Sequence, residues 1–239
     1  MPSGSEILEH EPGDLTCIVE ADLRLSALES ALRSHGQRFS LDPPGDPTLG
    51  ECLVDDLSGP LRHRFGTMRD LVIGVRVVLP DGTRANSGGK VVKNVAGYDL
   101  AKVFCGSRGR LGRVERLALR LHPLPVSART VVLRADWQAV HCSHLVPSAV
   151  DVAGGRMYVL FEGSARAVEA QTHALGGEEI EPWEELRALQ AELRGRVRWD
   201  GLEAPLVRPG PRVAYLAEAR EPVWSPLAER VREAMCSPS

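Results

Sequence analysis

The sequence predicts an α+β fold, and three observations predict it. Short β-branched or alternating runs recur along the chain, each bounded by Gly, Pro or Asp. Between several of them apolar residues fall at helical spacing behind a capping residue. The 239 residues are 43% hydrophobic, enough to bury a core in one large domain or two modest ones.

The elements follow in order. Residues 15–20 (LTCIVE) read as a strand with a β-branched centre, preceded by a polar tail. Ser26 is a candidate N-cap for a helix carrying Leu28, Ala31 and Leu32, which Gly36 stops. Residues 37–41 predict a second strand, and DPPGDP at 42–47 a rigid turn. Residues 61–70 (LRHRFGTMRD) read as a solvated basic loop centred on Gly66. Residues 71–79 (LVIGVRVVL) form the strongest strand signal, and Asp81-Gly82 suits a hairpin turn after it. A short helix is expected over 98–104, ended by Gly106, then an alternating strand over 114–121. Pro123-Leu124-Pro125 breaks the chain, which places a domain boundary near residue 126 and divides the protein into 1–126 and 127–239. The second part predicts strands at 129–134, 150–152, 157–161 and 212–216, and a helix over 137–146. Further helices are expected from Ser164 to about Leu175, over 182–193 with charge pairs such as Glu184–Arg187, and after Ser225-Pro226. Residues 195–211 read as irregular.

Composition excludes several classes of function. A net charge of −3 and a pI of about 6.2 lack the basic excess of a nucleic-acid binder. No apolar run is long enough for a membrane-spanning helix, and the start has no signal-peptide pattern. Five scattered cysteines without a CxxC fit reduced thiols in a cytoplasmic protein. His141-Cys142-Ser143-His144 has no zinc-site spacing and reads as surface, so no metal site is expected. No Ser/His/Asp or Cys/His set supports hydrolysis. Between Gly88 and Gly112, GGKVVKNVAGYDLAKVFCGSRGRLG holds six glycines. They imply a backbone pressed against either a flat cofactor or a neighbouring strand.

The ordered motifs TLG (48–50), SGP (58–60), KNVAGYDL (93–100) and GSRGRLG (106–112), followed by HPLP, resemble the FAD-binding subunits of glycolate oxidase. These lie within the PCMH-type (vanillyl-alcohol-oxidase-type) FAD-binding family. The resemblance covers roughly residues 15–125, with a fainter likeness of MYVLFEG onward to that subunit's second domain. It implies a PCMH-type FAD-binding domain lacking its first subdomain, then a smaller α+β domain like the C-terminal domain of FAD-linked oxidases. It implies FAD as cofactor, lined by Pro43, Pro44, Thr48, Gly50, Asp55, Ser58, Gly59, Gly106, Gly109, Leu111, Gly112 and Val114. It assigns no catalytic residue here, because the family's His and Arg stand on a sister subunit. Lys93 and Tyr98 either touch substrate or flavin, or orient a turn.

The implied activity is oxidation of a 2-hydroxy acid to a 2-oxo acid, with a larger catalytic flavin subunit and an iron–sulfur subunit as partners. The sequence also departs from the family. A GGGT-type loop that grips the pyrophosphate would stand before the point where this chain begins. Glu51 replaces the second glycine of TxGG, Arg110 the threonine of GTLG, and Arg113 an apolar residue. The arginines Arg108, Arg110 and Arg113 either supplement phosphate contacts or are surface charges. A flavin-free structural subunit that supports assembly of such a complex is the alternative reading.

Overall fold

The computed structural model describes residues 6–88 and 100–219. Residues 6–20, read as a polar tail and one strand, form the antiparallel pair β1 (Ile7–Glu11) and β2 (Thr16–Glu20). Helix α1 (Leu25–Arg33) begins without a side-chain cap. Ser26 instead donates its backbone N–H and hydroxyl to the two Asp46 carboxylate oxygens, each at 2.9 Å. Strand β3 is only Gln37–Arg38. Helix α2 (Leu49–Val54) is invisible to periodicity, being six residues long.

The expected basic loop is in fact two one-turn helices, α3 (Arg62–Phe65) and α4 (Met68–Leu71). Thr67 caps α4 in a capping box with Asp70. His63 is half-buried rather than solvated, and burial lowers its pKa. Strands β4 (Val72–Val78) and β5 (Arg84–Gly88) make the hairpin that Asp81-Gly82 implies, with Gly82 at φ +86°. Helix α5 (Leu100–Phe104), strand β6 (Arg113–Arg120) and the two-residue β7 (His122–Pro123) follow.

These elements make a five-stranded sheet ordered β1-β2-β6-β4-β5, with every pairing antiparallel. Register places Cys17 opposite Leu119 and Val19 opposite Leu117, and Leu117 opposite Val75. That face is buried beneath Leu28 and Leu32 of α1, Leu49 and Leu53 of α2, Met68 of α4 and Phe104 of α5. Full burial of each such side chain contributes roughly 1.5–3 kcal/mol. Burial holds the Cys17 and Cys52 thiols up to about 12, so neither is reactive at neutral pH.

After residue 126 comes a second, seven-stranded sheet. Its elements are β8 (Ser127–Leu133), the four-residue α6 (Gln138–His141), β9 (Ala149–Ala153), β10 (Arg156–Gly163), α7 (Ala165–Leu175), β11 (Glu178–Glu179), α8 (Trp183–Glu192), β12 (Gly195–Arg198), β13 (Leu206–Arg208) and β14 (Val213–Leu216). The strand order is β11-β8-β10-β9-β13-β14-β12. Ser164 and Gly176 bound α7 as its sequence implies. Strands β12 and β13, expected to be irregular, are four and three residues long, β12 opening on Gly195 and β13 lying between Pro205 and Pro209, which hides them. The expected helix after Ser225 lies outside the described residues.

Polar side chains join the two sheets. Arg38 grips the Glu162 carboxylate with both guanidinium nitrogens at 2.6 and 2.7 Å, and Arg64 reaches Ser148 and the Glu162 carbonyl. Arg38 and Arg64 both stack on the Phe65 ring. Deeper, Arg208 is fully buried. It donates to Asp151 Oδ1 at 3.0 Å, Tyr215 Oη at 2.7 Å and Gln190 Oε1 at 2.7 Å. Burial works against its charge, and Asp151, Tyr215 and Asp42 more than restore it. Gln190 passes the connection on, donating to the Ser58 carbonyl at 2.8 Å.

Asp42 completes this interface. Its Oδ1 accepts from the Leu61 N–H at 3.0 Å and its Oδ2 faces Arg187 at 3.7 Å. Burial raises its pKa to about 7, against the pull of Leu61, Arg208 and Arg187.

The interface is testable at Asp151 and at Asp42. Asp151→Ala leaves the Arg208 charge buried and uncompensated, so urea unfolding should lose about 3–5 kcal/mol, whereas Asp151→Leu with Arg208→Met should recover much of it. For Asp42, the folded carboxyl binds its proton up to about pH 7 and the unfolded one releases it near its ordinary value. Its contribution is therefore present in acid and is lost as pH rises toward 7. Relative to the wild type, Asp42→Asn should gain stability from pH 4 to 7 and then level off. A constant difference across that range would contradict the assignment.

Candidate cofactor site

The implied cofactor residues fall into separate places. Thr48, Gly50, Gly109, Gly112 and Val114 meet around one cleft of about 700 Å³, which Asp22, Glu51, Pro80 and Arg113 also line. Its size suits a small-molecule or cofactor fragment. One wall is the start of α2. The other is the loop 106–112 between α5 and β6.

That loop is built on the exposed carbonyls at the end of α2. Gly106 N–H donates to Leu53 O at 3.0 Å and Arg108 N–H to Val54 O at 2.7 Å. To turn back so sharply it takes positive φ at Gly106, Arg108, Gly109 and Gly112. Three of the four are glycine, and Arg108 bears the strain of roughly 1–2 kcal/mol that a side chain incurs there. Inside the loop, Ser107 Oγ is buried with no hydrogen-bond partner among the described residues.

The glycines serve two ends. A Cβ on Gly112 would collide with Val78 O, and one on Gly88 would collide with Ile73 O. Those two glycines let strands of this chain approach each other. Gly109, by contrast, has nothing within 4 Å of its Cβ position and faces open space at the cleft. Gly89, Lys93, Gly97 and Tyr98 lie outside the described residues, as does most of the KNVAGYDL motif.

At the other wall, Thr48 and Glu51 form a capping box. Glu51 N–H donates to Thr48 Oγ1 at 3.2 Å, and Thr48 N–H donates to Glu51 Oε2 at 2.7 Å. The Thr48 N–H lowers the Glu51 pKa. The residue that breaks the TxGG pattern thus caps its own helix, and its carboxylate adds a negative charge at the start of α2, where the next two amides already donate to Leu23 O and Ala21 O. Gly50 packs on Ala21, whose oxygen would lie 3.1 Å from an added Cβ.

The remaining implied residues stand elsewhere. Leu111 is buried in the first core. Asp55 is the exposed C-cap of α2, and its neighbour Asp56 pairs with Arg196 at 3.0 Å. Ser58 and Gly59 are buried between the sheets, where a Cβ on Gly59 would fall on the Asp42 carbonyl. The Ser58 hydroxyl accepts from Arg62 at 2.9 Å. Pro43 and Pro44 lie within the segment 42–50, which separates the cleft from a second one of about 620 Å³ lined by Asp42, Gly45, Asp46 and Arg187. Of the arginines, Arg113 pairs with Glu115 at 3.0 Å, and Arg108 is exposed. His141 stacks on Trp137 with ring centroids 4.5 Å apart, and Cys142 Sγ lies 3.7 Å from Gln138 Oε1.

FAD fits this geometry in part. The open glycine edge and the cleft volume suit a flat group. Thr48, Gly50, Gly109, Gly112 and Val114 would hold it. The start of α2 does not suit a diphosphate, because its amides are already taken: Leu49 N–H by Leu23 O at 2.9 Å, Gly50 N–H by Ala21 O at 2.7 Å and Glu51 N–H by Thr48 Oγ1 at 3.2 Å.

Comparison with known proteins agrees with the motif order. Residues 3–88 match the family model described as FAD binding domain. The chain is 32% identical over 199 residues to the glycolate oxidase subunit GlcE of Escherichia coli, covering 77% of this chain and 56% of that protein. It is 34% identical over 158 residues to a mitochondrial D-lactate dehydrogenase [cytochrome] of Arabidopsis thaliana, covering 65% and 28% respectively. With the glycolate oxidase subunit GlcD of Bacillus subtilis the identity is 35% over 130 residues, or 54% and 28% of the two chains. The chain thus spans about half, or less, of the length of these relatives. A solved structure of alkyldihydroxyacetonephosphate synthase shares the fold with a TM-score of 0.61 at 16% identity, over 79% of this chain and 46% of that one. Among the described residues no helix is long and apolar enough to cross a membrane. The protein has the α+β architecture of the PCMH-type FAD-binding fold, and over most of its length it resembles the FAD-binding subunits of glycolate oxidase.

Proposed function

We propose that this chain is an FAD-binding subunit of a glycolate-oxidase-like complex that oxidises a 2-hydroxy acid to a 2-oxo acid. The observation that supports this most is the 199-residue likeness to a glycolate oxidase subunit, together with the cleft walled by Thr48–Gly50 and Gly109–Gly112. Bound FAD supplies the two-electron oxidation at the hydroxyl-bearing carbon. The chain's own contribution is positional. The loop 106–112 presents a bare backbone edge at Gly109, α2 sets the opposite wall, and the seven-stranded sheet closes over the Ser58–Pro60 segment.

In this reading residues up to about 126 form the cofactor-binding domain, and the remainder form the domain laid against it. The proposed partners are a larger flavin subunit that carries the catalytic side chains and an iron–sulfur subunit that takes up the electrons. A second reading, a structural subunit without flavin, is favoured by the Glu51 carboxylate at the start of α2 and by the burial of Ser58 and Gly59 under the protein's own atoms.

The visible absorption spectrum after incubation with FAD and desalting separates the two. Retained flavin absorption is the expected result. Gly109→Val should abolish it while circular dichroism stays that of the folded chain, and Gly82→Ala, in the remote β4–β5 turn, should leave it unchanged. Folded protein that stays colourless in excess FAD would establish the structural reading instead.

A further inference from the structure

A cavity of about 690 Å³ lies in the second sheet, remote from the residues assigned to the flavin. Its floor is Val152 of β9 and Val207 of β13, and Gly154-Gly155 of the β9–β10 turn leave one side free of side chains. Two tryptophans stand over it. Trp137 and Trp199 meet edge to face, with ring centroids 6.3 Å apart and planes at 74°. Both are fixed in place. Trp199 donates its ring N–H to Leu202 O at 3.0 Å and its backbone N–H to Arg212 O at 2.8 Å. Trp137 stacks on His141.

Among the described residues, the charges lining this cavity have one sign: the carboxylates Asp136 and Glu203, with no Lys or Arg. Asp136 is held by the Gln138 N–H at 3.0 Å. Glu203 is exposed and forms no ion pair among the described residues. Apolar walls, two tryptophan rings at a steep angle and two carboxylates that form no ion pair among the described residues are complementary to one class of ligand. A cation with apolar substituents is attracted by ring quadrupoles and carboxylates alike, while its alkyl groups fill the apolar floor. A metal ion does not suit the site, since the walls offer too few oxygen donors. An anion is repelled by both carboxylates.

We propose that this cavity binds a small organic cation, an alkylammonium or quaternary ammonium compound, between Trp137, Trp199 and Glu203. The site is independent of the flavin reading, and its test needs no flavin. Choline chloride is the probe, titrated into the full chain at constant ionic strength and followed by tryptophan fluorescence and calorimetry. Its neutral isostere 3,3-dimethylbutan-1-ol is the control. The other two tryptophans are Trp183, buried with its ring N–H on Thr130 Oγ1, and Trp224, which lies outside the described residues; both are kept in every variant. A saturable signal is expected for choline, with the alcohol at least about tenfold weaker. Glu203→Gln, an exposed change without structural partners, should weaken choline about fivefold or more and leave the alcohol unaffected. Trp137→Phe should reduce the fluorescence response. Equal binding of choline and the alcohol, no saturation with choline, or a Glu203→Gln variant that binds as the wild type does would each overturn the proposal.

Discussion

The ion pair between Arg208 and Asp151 is the constraint on which the arrangement of the two sheets depends. Both side chains have no exposed surface. A guanidinium so buried must satisfy nearly all its donors inside the protein, and here each of its partners comes from a different element. Asp151 is on β9, Gln190 on α8 and Tyr215 on β14. None can shift without stranding a charge or a donor. Because Gln190 also holds the Ser58 carbonyl, the rigidity of the second sheet passes to the Ser58–Pro60 segment of the first. Arg38 and Glu162 fasten the other end of the same interface. The fixed relation between the sheets is therefore set chiefly by polar geometry, while the two apolar cores give each sheet its stability.

This arrangement separates two meanings of the glycine stretch. Gly88 and Gly112 are required by strand-to-backbone contacts within the chain. Gly106 and Gly109 are required by the left-handed turns that carry the loop over the end of α2. Of these four, Gly109 combines that conformation with a free approach from the cleft. The two explanations that composition leaves open, a cofactor and a neighbouring strand, hold for different glycines, a distinction that needs the coordinates of Val78 and Ile73.

Long periodic elements and cap chemistry are legible in the sequence. Strand β4, the Asp81-Gly82 hairpin and α7 between Ser164 and Gly176 stand where local rules put them. Short elements are not, since a helix of one turn such as α3, or a three-residue strand such as β13, carries no period to detect. The apparent basic loop at 61–70 misleads for a related reason. Arg62, His63 and Arg64 look solvated in sequence, yet Arg62 and His63 are half-buried and the exposed Arg64 reaches across to Ser148, a use that only tertiary partners reveal. For the candidate site, the motifs follow one another along the chain, and folding then divides them. Thr48, Gly50, Gly109 and Gly112 converge, whereas Ser58 and Gly59 are turned inward by Gln190 and Asp42.

Glu51 shows why a motif match and a binding site are different statements. In a helix of six residues the first amides are a large share of the polar surface, and something must satisfy them. Two of them are taken by the backbone of the preceding segment, Leu49 N–H by Leu23 O at 2.9 Å and Gly50 N–H by Ala21 O at 2.7 Å. The reciprocal bond between Thr48 and Glu51 closes the rest, and the lowered pKa of Glu51 keeps its carboxylate charged through neutral pH. Displacing Glu51 would free only the Thr48 N–H, so an anionic group that enters the cleft is left the Gly109–Arg113 side. The cleft is thus asymmetric: one wall is closed to phosphate by its own carbonyls and side chains, and the other is open because its backbone carries none at Gly109.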